Sequence, residues 1–118
     1  MPVPLKPAAQ ASQPFFNPSD FIGYMRKLGK LDPRPAPEAV ILSYQRSLFE
    51  HAVREHPTSA PKGYFSRELR YLDEEEGRVA IVGGFGVGAP AAAVMLEELI
   101  AFGVRRFVSV GTAGSLRL

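Results

Sequence analysis

The sequence predicts an α/β domain whose sheet is mixed and contains a parallel βαβ unit. Three observations predict it. Apolar runs of strand length stand at residues 39–42, 78–82 and 105–110, a helical pattern separates the last two, and a glycine-rich turn follows each of those two. Strands joined through a helix pair in parallel by a right-handed crossover, so the last two runs are expected to be neighbours in the sheet. At 118 residues, 46% apolar with 8 Phe and 4 Tyr, the chain is one small domain or part of a larger one.

Residues 1–16 place Pro2, Pro4, Pro7 and Pro14 among Ala, Gln and Ser, which sustains neither helix nor ladder, so a Pro-rich flexible arm is expected there. Residues 17–118 make up the folded part. Asn17-Pro18-Ser19-Asp20 offers a capping side chain, a first-turn proline and an acid at the positive end of a helix. Phe21, Met25 and Leu28 follow at helical spacing, and Gly29 closes the helix. Residues 32–37 carry three prolines and read as a linker.

Ala39-Val40-Ile41-Leu42 is an apolar, β-branched run suited to a buried strand. Arg46 to Glu55 reads as a helix with Leu48, Phe49, Ala52 and Val53 on one face, stopped by Pro57. Residues 56–63 are expected to be loop. Tyr64 to Leu72 alternates, with Phe65, Leu69 and Tyr71 on one side, as a half-exposed strand does. Asp73 to Gly77 is an acidic, solvated turn. Arg78 to Val82 is a buried strand that runs into Gly83-Gly84-Phe85-Gly86-Val87-Gly88. A helix opens at Ala89-Pro90, continues through Val94, Leu96, Leu99, Ile100 and Phe102, and ends at Gly103. Arg105 to Val110 is the third apolar strand, followed by Gly111-Thr112-Ala113-Gly114.

The charge balance of 14 basic to 12 acidic residues is too even for a nucleic-acid footprint, and Arg26-Lys27 and Arg105-Arg106 read as isolated surface pairs. There is no cysteine, which excludes disulfides and thiol ligands and suits a reducing cytoplasm. No apolar segment follows Lys6 as in a signal peptide, and the stretch from Ala89 to Ile100 is too short to span a bilayer, so no membrane partner is expected. His51 and His56, five residues apart, make a poor metal pair, and no metal or cofactor is expected.

In open α/β sheets, ligands bind beyond the carboxyl ends of the strands, where both glycine turns are predicted. Glycine lets backbone N–H groups approach an anion, and a following helix N-terminus adds partial positive charge. Gly84-x-Gly86-x-x-Ala89 fits a relaxed dinucleotide fingerprint, yet the acid that would hold the ribose is missing after the next strand, which ends Ser109-Val110-Gly111-Thr112. A turn that only lets helix and sheet pack is the plainer alternative for residues 83–88. Thr112, a hydroxyl beside two glycines, suits phosphate or sugar oxygens.

Val79-Ala80-Ile81-Val82, Gly86-Val87-Gly88-Ala89-Pro90, Glu97-Glu98-Leu99 and Phe107-Val108-Ser109-Val110-Gly111-Thr112-Ala113-Gly114 together resemble the nucleoside phosphorylase family, nearest its uridine phosphorylase branch. The resemblance covers residues 77–115 well, and 39–72 only in the order of elements. It implies a Rossmann-like domain, homo-oligomeric and cytoplasmic, acting in nucleoside salvage. The implied activity is that of a pentosyltransferase which cleaves the N-glycosidic bond of a uridine or purine nucleoside, with phosphate as co-substrate and no cofactor. Gly111, Thr112, Ala113 and Gly114 are then substrate-lining, with Thr112 the phosphate ligand.

Two positions depart from that pattern. Ser109 stands where the uridine branch carries a phosphate-gripping arginine, and a hydroxyl does not replace a bidentate guanidinium. The family's Gly-Asp-Pro loop ending in arginine is replaced by Leu42-Ser43-Tyr44-Gln45-Arg46-Ser47. Here Arg46 is a second candidate phosphate ligand, an exposed helix-start arginine being the alternative, and Tyr44 and Gln45 are candidates to line a pocket. The related hydrolytic nucleosidases, which lack that arginine and use water, and a non-catalytic nucleoside-binding relative both stay open. The family's ribose- and base-gripping residues lie beyond the equivalent of Leu118. The sequence therefore reads as the N-terminal, incomplete part of such a domain, inactive alone, with activity expected of a longer parent.

Overall fold

A computed structural model of the chain describes residues 17–86 and 88–111. The expected arm over residues 1–16, and Thr112, Ala113 and Gly114 of the candidate site, lie outside the described residues. In order, the elements are α1 (Pro18–Lys27), β1 (Ala39–Ser43), α2 (Arg46–Glu55), β2 (Thr58–Ser59), β3 (Leu69–Leu72), a 3₁₀ turn (Asp73–Glu75), β4 (Val79–Val82), α3 (Gly88–Phe102) and β5 (Arg106–Val110). The five strands form one mixed sheet in the order β2-β3-β4-β1-β5. β1 pairs in parallel with β4 on one side and β5 on the other, and β3 runs antiparallel to both β4 and β2. The expected α/β class with a mixed sheet is the one observed.

Local chemistry explains the helices. The Asn17 side chain accepts the Ser19 N–H at 2.9 Å, Pro18 occupies the first turn, and Arg26 and Lys27 lie in the last turn. α1 packs against α3. Between these helices and the sheet lies the core: Ile22, Val40, Leu42, Phe65, Leu69, Tyr71, Ala80, Val82, Met95, Leu99 and Phe102 are all buried. The opposite face is thinner. There α2 approaches Ile41 and Ile81 through Ala52, and no residue of α2 is fully buried. The hydrophobic term scales with apolar area removed from water, so the α1/α3 face carries most of it.

Strand order corrects one expectation. β4 and β5 are parallel but not adjacent, because β1 lies between them. A run buried or half-buried on both faces (Val40 and Leu42 toward α3, Ile41 toward α2) gains most in the centre of a parallel sheet. β5 takes the edge instead, with Val108 56% exposed although the run is apolar.

The stretch from Tyr64 is a second correction. Residues 64–68 form turns and only Leu69–Leu72 is strand. Gly63 bridges to Leu31 and Tyr64 N–H donates to the Lys30 carbonyl, which pulls this segment out of the ladder and toward α1. The alternation still marks burial correctly, because Phe65, Leu69 and Tyr71 are all buried. Residues 56–63, expected as loop, include the two-residue strand β2, which pairs with Tyr71 and Leu72. In α1, Ile22 is the fully buried residue and Leu28 is exposed, because the helix ends at Lys27 and Leu28 serves as its C-cap.

Candidate functional site

The parallel arrangement brings three chain segments to one edge of the sheet. These are the loop after β1 from Ser43 to Arg46, the turn after β4 from Gly83 to Gly86, and Gly111 after β5. Two adjacent glycine turns were expected at this edge; the observed order inserts the β1 loop between them. Tyr44 thereby becomes the centre of the edge.

The β1 loop has a local cause. Buried Ser43 donates its hydroxyl to the Gln45 carbonyl at 2.9 Å, turning the chain from strand into α2 and directing Tyr44 outward. The Tyr44 N–H donates to the Val110 carbonyl at 3.2 Å. Its hydroxyl shares a 3.3 Å hydrogen bond with Ser109, and its ring meets Phe85 edge-on at 5.6 Å between centroids. Gly111 lies beside the Cδ2 edge of the ring, where an added Cβ would come 3.5 Å from Tyr44 Cδ2. Tyr44 nevertheless stays 50% exposed.

On the β4 side, Gly83 is required by a close approach: a Cβ there would come within 2.6 Å of Phe49 Cγ on α2. Gly84 and Gly86 have φ of +69° and +109°, conformations that side chains other than glycine rarely adopt. They reverse the chain from β4 into α3, whose N-terminus therefore opens on the same edge.

Beneath this turn lies a hollow of about 350 Å³, lined among others by Tyr64, Glu68, Gly84, Phe85 and Glu98. Glu98 is only 5% exposed. Burial raises its carboxyl above the usual range; the hydrogen bond from the Tyr64 hydroxyl opposes that rise, and the nearby Glu68 carboxylate adds to it. Burial, together with the same pair, pushes the Tyr64 hydroxyl well above the ordinary phenol range. Phe85 stands between this hollow and Tyr44, touching both. In the sequence Glu98 is one of two consecutive acids on a helix; it falls on the buried stripe of Ala92, Met95, Leu99 and Phe102, whereas Glu97 is exposed.

Of the anion-binding candidates, Gly111 is exposed at the edge beside Tyr44. Arg46 begins α2 at the same edge with its side chain 85% exposed, and its Nε lies 3.2 Å from Glu50 one turn on. Ser109 faces the Tyr44 hydroxyl. Gln45 is exposed and makes no side-chain capping bond to α2. His56 bonds to Glu74 at 3.1 Å rather than meeting His51, and no group of three metal-ligating side chains occurs among the described residues. No helix among them is long and apolar enough to cross a membrane.

Over 44 residues the chain is 36% identical to the uridine phosphorylases of Salmonella typhimurium and Salmonella typhi. The match takes in 37% of this chain and 17% of each relative, so the chain covers less than a fifth of their length. No family model matches the chain, and no solved structure matches it. The likeness is thus to nucleoside phosphorylases over a short stretch, and it specifies no reaction.

Proposed function

We propose that this chain is part of an enzyme that cleaves the N-glycosidic bond of a nucleoside with phosphate as the attacking group. The observation that carries this reading is the convergence of Gly83–Gly86, Tyr44 and Gly111 on the carboxyl edge of β4, β1 and β5, in a chain with local identity to uridine phosphorylase. A phosphate oxygen forms a bond to the anomeric carbon while the bond to the base nitrogen breaks. The electron pair leaves with the base, which takes up a proton, and the products are a pentose 1-phosphate and the free base. The protein's task is to position phosphate and stabilise charge on the departing base. Gly111, Thr112, Ala113 and Gly114 line the substrate, Thr112 and Arg46 hold phosphate, and no cofactor takes part. The assembly is a cytoplasmic homo-oligomer, for which exposed Val94, Ile100 and Val108 supply apolar surface.

One observation favours a second reading, hydrolysis. Ser109 offers a neutral hydroxyl, already paired with Tyr44, and Arg46 is drawn toward Glu50. A neutral edge suits water better than a phosphate dianion. Release of uracil from uridine or hypoxanthine from inosine, followed chromatographically with and without phosphate, separates the two. The assay is run on the chain and on the full open reading frame that encodes it. Phosphate-dependent release supports phosphorolysis, and equal release without phosphate supports hydrolysis. Release from neither nucleoside by either polypeptide rejects both.

A further inference from the structure

We infer that the hollow between the C-terminal half of α2 and the sheet binds a small amphipathic amine, an apolar body carrying one ammonium group. The hollow has a cause in the sequence. Phe49 on α2 lies against Gly83, but almost one turn on the same face presents only the methyl of Ala52. The gap left there measures about 240 Å³, and Ile41, Leu72 and Ile81 form its apolar floor. Ile81 is buried and the other two are half-buried. A space of this size takes a ligand smaller than a typical drug.

The polar part of the lining is acidic. His56, Glu74 and Glu75 complete it, running from the C-cap of α2 to the turn after β3. Glu74 lies 3.1 Å from His56 Nδ1, a partner that is charged only when protonated. Among the described residues Glu75 forms no ion pair. The last carbonyls of α2 also end here, and a helix C-terminus adds partial negative charge. An anion is repelled from such a rim, and a neutral apolar molecule leaves its charge unanswered. An ammonium beside Glu74 and Glu75, with an apolar body against Ile41 and Ile81, matches both parts.

The probe is phenethylamine, cationic at neutral pH, followed in ¹H–¹⁵N correlation spectra of the full chain. It is expected to shift the amides of Ile41, Ala52, His56, Leu72 and Ile81 saturably, in the millimolar range. Phenethyl alcohol, the same body without the charge, binds about fivefold more weakly. Ethylamine, the charge without the body, gives no saturable shift. Ala52→Leu fills the hollow and removes the binding while the spectrum stays dispersed. Glu74→Gln combined with Glu75→Gln, both at the surface, lowers affinity for the amine about fivefold, to that of the alcohol. Equal affinity of the parent chain for amine and alcohol overturns the ligand class. Amine shifts that are absent, centred elsewhere, or undiminished in a folded Ala52→Leu chain overturn the site. Should Ala52→Leu lose its dispersed spectrum, the double glutamine variant decides. A loss confined to the amine then supports the site, and undiminished amine binding overturns it.

Discussion

The two ends of the parallel strands are built differently. At the amino end, side chains are tied to one another and to the backbone. Asp32 accepts the N–H groups of Arg34 and Lys62, each at 2.8 Å, and Arg34 Nε lies 3.7 Å from the same carboxylate. Arg34 also donates to the Ser59 hydroxyl at 3.0 Å and lies 4.1 Å over the Tyr71 ring, and Ser59 donates to Asp73 at 2.9 Å. A hollow of about 340 Å³ opens there too, but Arg34, Glu38, Asp73, Glu76 and Arg78 line it with both signs of charge. At the carboxyl end stand glycines in left-handed conformations, a half-exposed tyrosine and an arginine turned to solvent. One end locks the linker and β2 onto the sheet, and the other leaves backbone and an aromatic face open. The difference teaches that the side-chain ties gather at one end of the strands, while the end to which the proposed function assigns binding is left open.

That division is open to attack by substitution. Asp32→Ala leaves two N–H donors and a guanidinium without their shared acceptor, and it should cost about 2–3 kcal/mol in denaturant unfolding. Nucleoside binding should not change; a loss of binding at full occupancy of the folded state would join the two ends into one unit. Gly83→Ala drives a methyl into Phe49 and should cost about 1–2 kcal/mol, because here the carboxyl edge also carries packing. Tyr44→Ala should instead cost less than about 0.5 kcal/mol in stability, since its ring is half in water. A large stability loss there would make Tyr44 a packing residue.

The Asp32 and Glu98 carboxylates give opposite pH signatures. Burial alone would raise Asp32, but hydrogen bonds from the Arg34 and Lys62 N–H groups and their positive charges outweigh it and hold the carboxyl below its ordinary 3.8. Its contribution is complete above that value and is lost as pH falls through the folded one. Glu98 is held above its ordinary 4.5. Its contribution is therefore complete below 4.5 and drains away as pH rises through the folded value. Thermal melts across pH 3 to 8 check both signs. Asp32→Asn should flatten the acid limb, and Glu98→Gln should gain on the parent as pH rises. The smallest effect belongs to Arg46→Ala. Its exposed pair with Glu50 contributes about 0.3–0.5 kcal/mol, and under phosphorolysis the change appears as a raised KM for phosphate at nearly constant stability.

Most of the fold was legible because its signals are local. Asn17 and Pro18 marked α1, the apolar runs marked β1, β4 and β5, and Arg46 and Glu55 bounded α2 where the structure bounds it. Strand order was not legible, since nothing near residues 39–43 states that this run separates β4 from β5; that follows from burial on both faces. The turn at residues 64–68 was hidden for the same reason, because its cause, the Lys30 carbonyl, is more than thirty residues away. The glycine turn after β4 could be read directly, whereas Thr112, Ala113 and Gly114 lie outside the described residues. Tyr44 was recognised only as a pocket candidate, since its contacts with Phe85, Ser109 and Gly111 arise from strand order. Buried Glu98 depends on Tyr64 in the same way.

The most direct test of the division is a ¹H–¹⁵N correlation titration of the ¹⁵N-labelled chain with uridine, inosine and phosphate. Shifts concentrated at the amides of Tyr44, Gly83, Gly84 and Gly111, with those of Asp32, Arg34, Ser59 and Arg78 unmoved, are the predicted result. Shifts centred on the Arg34 end, or none at saturating ligand, would contradict the assignment of binding to the carboxyl edge.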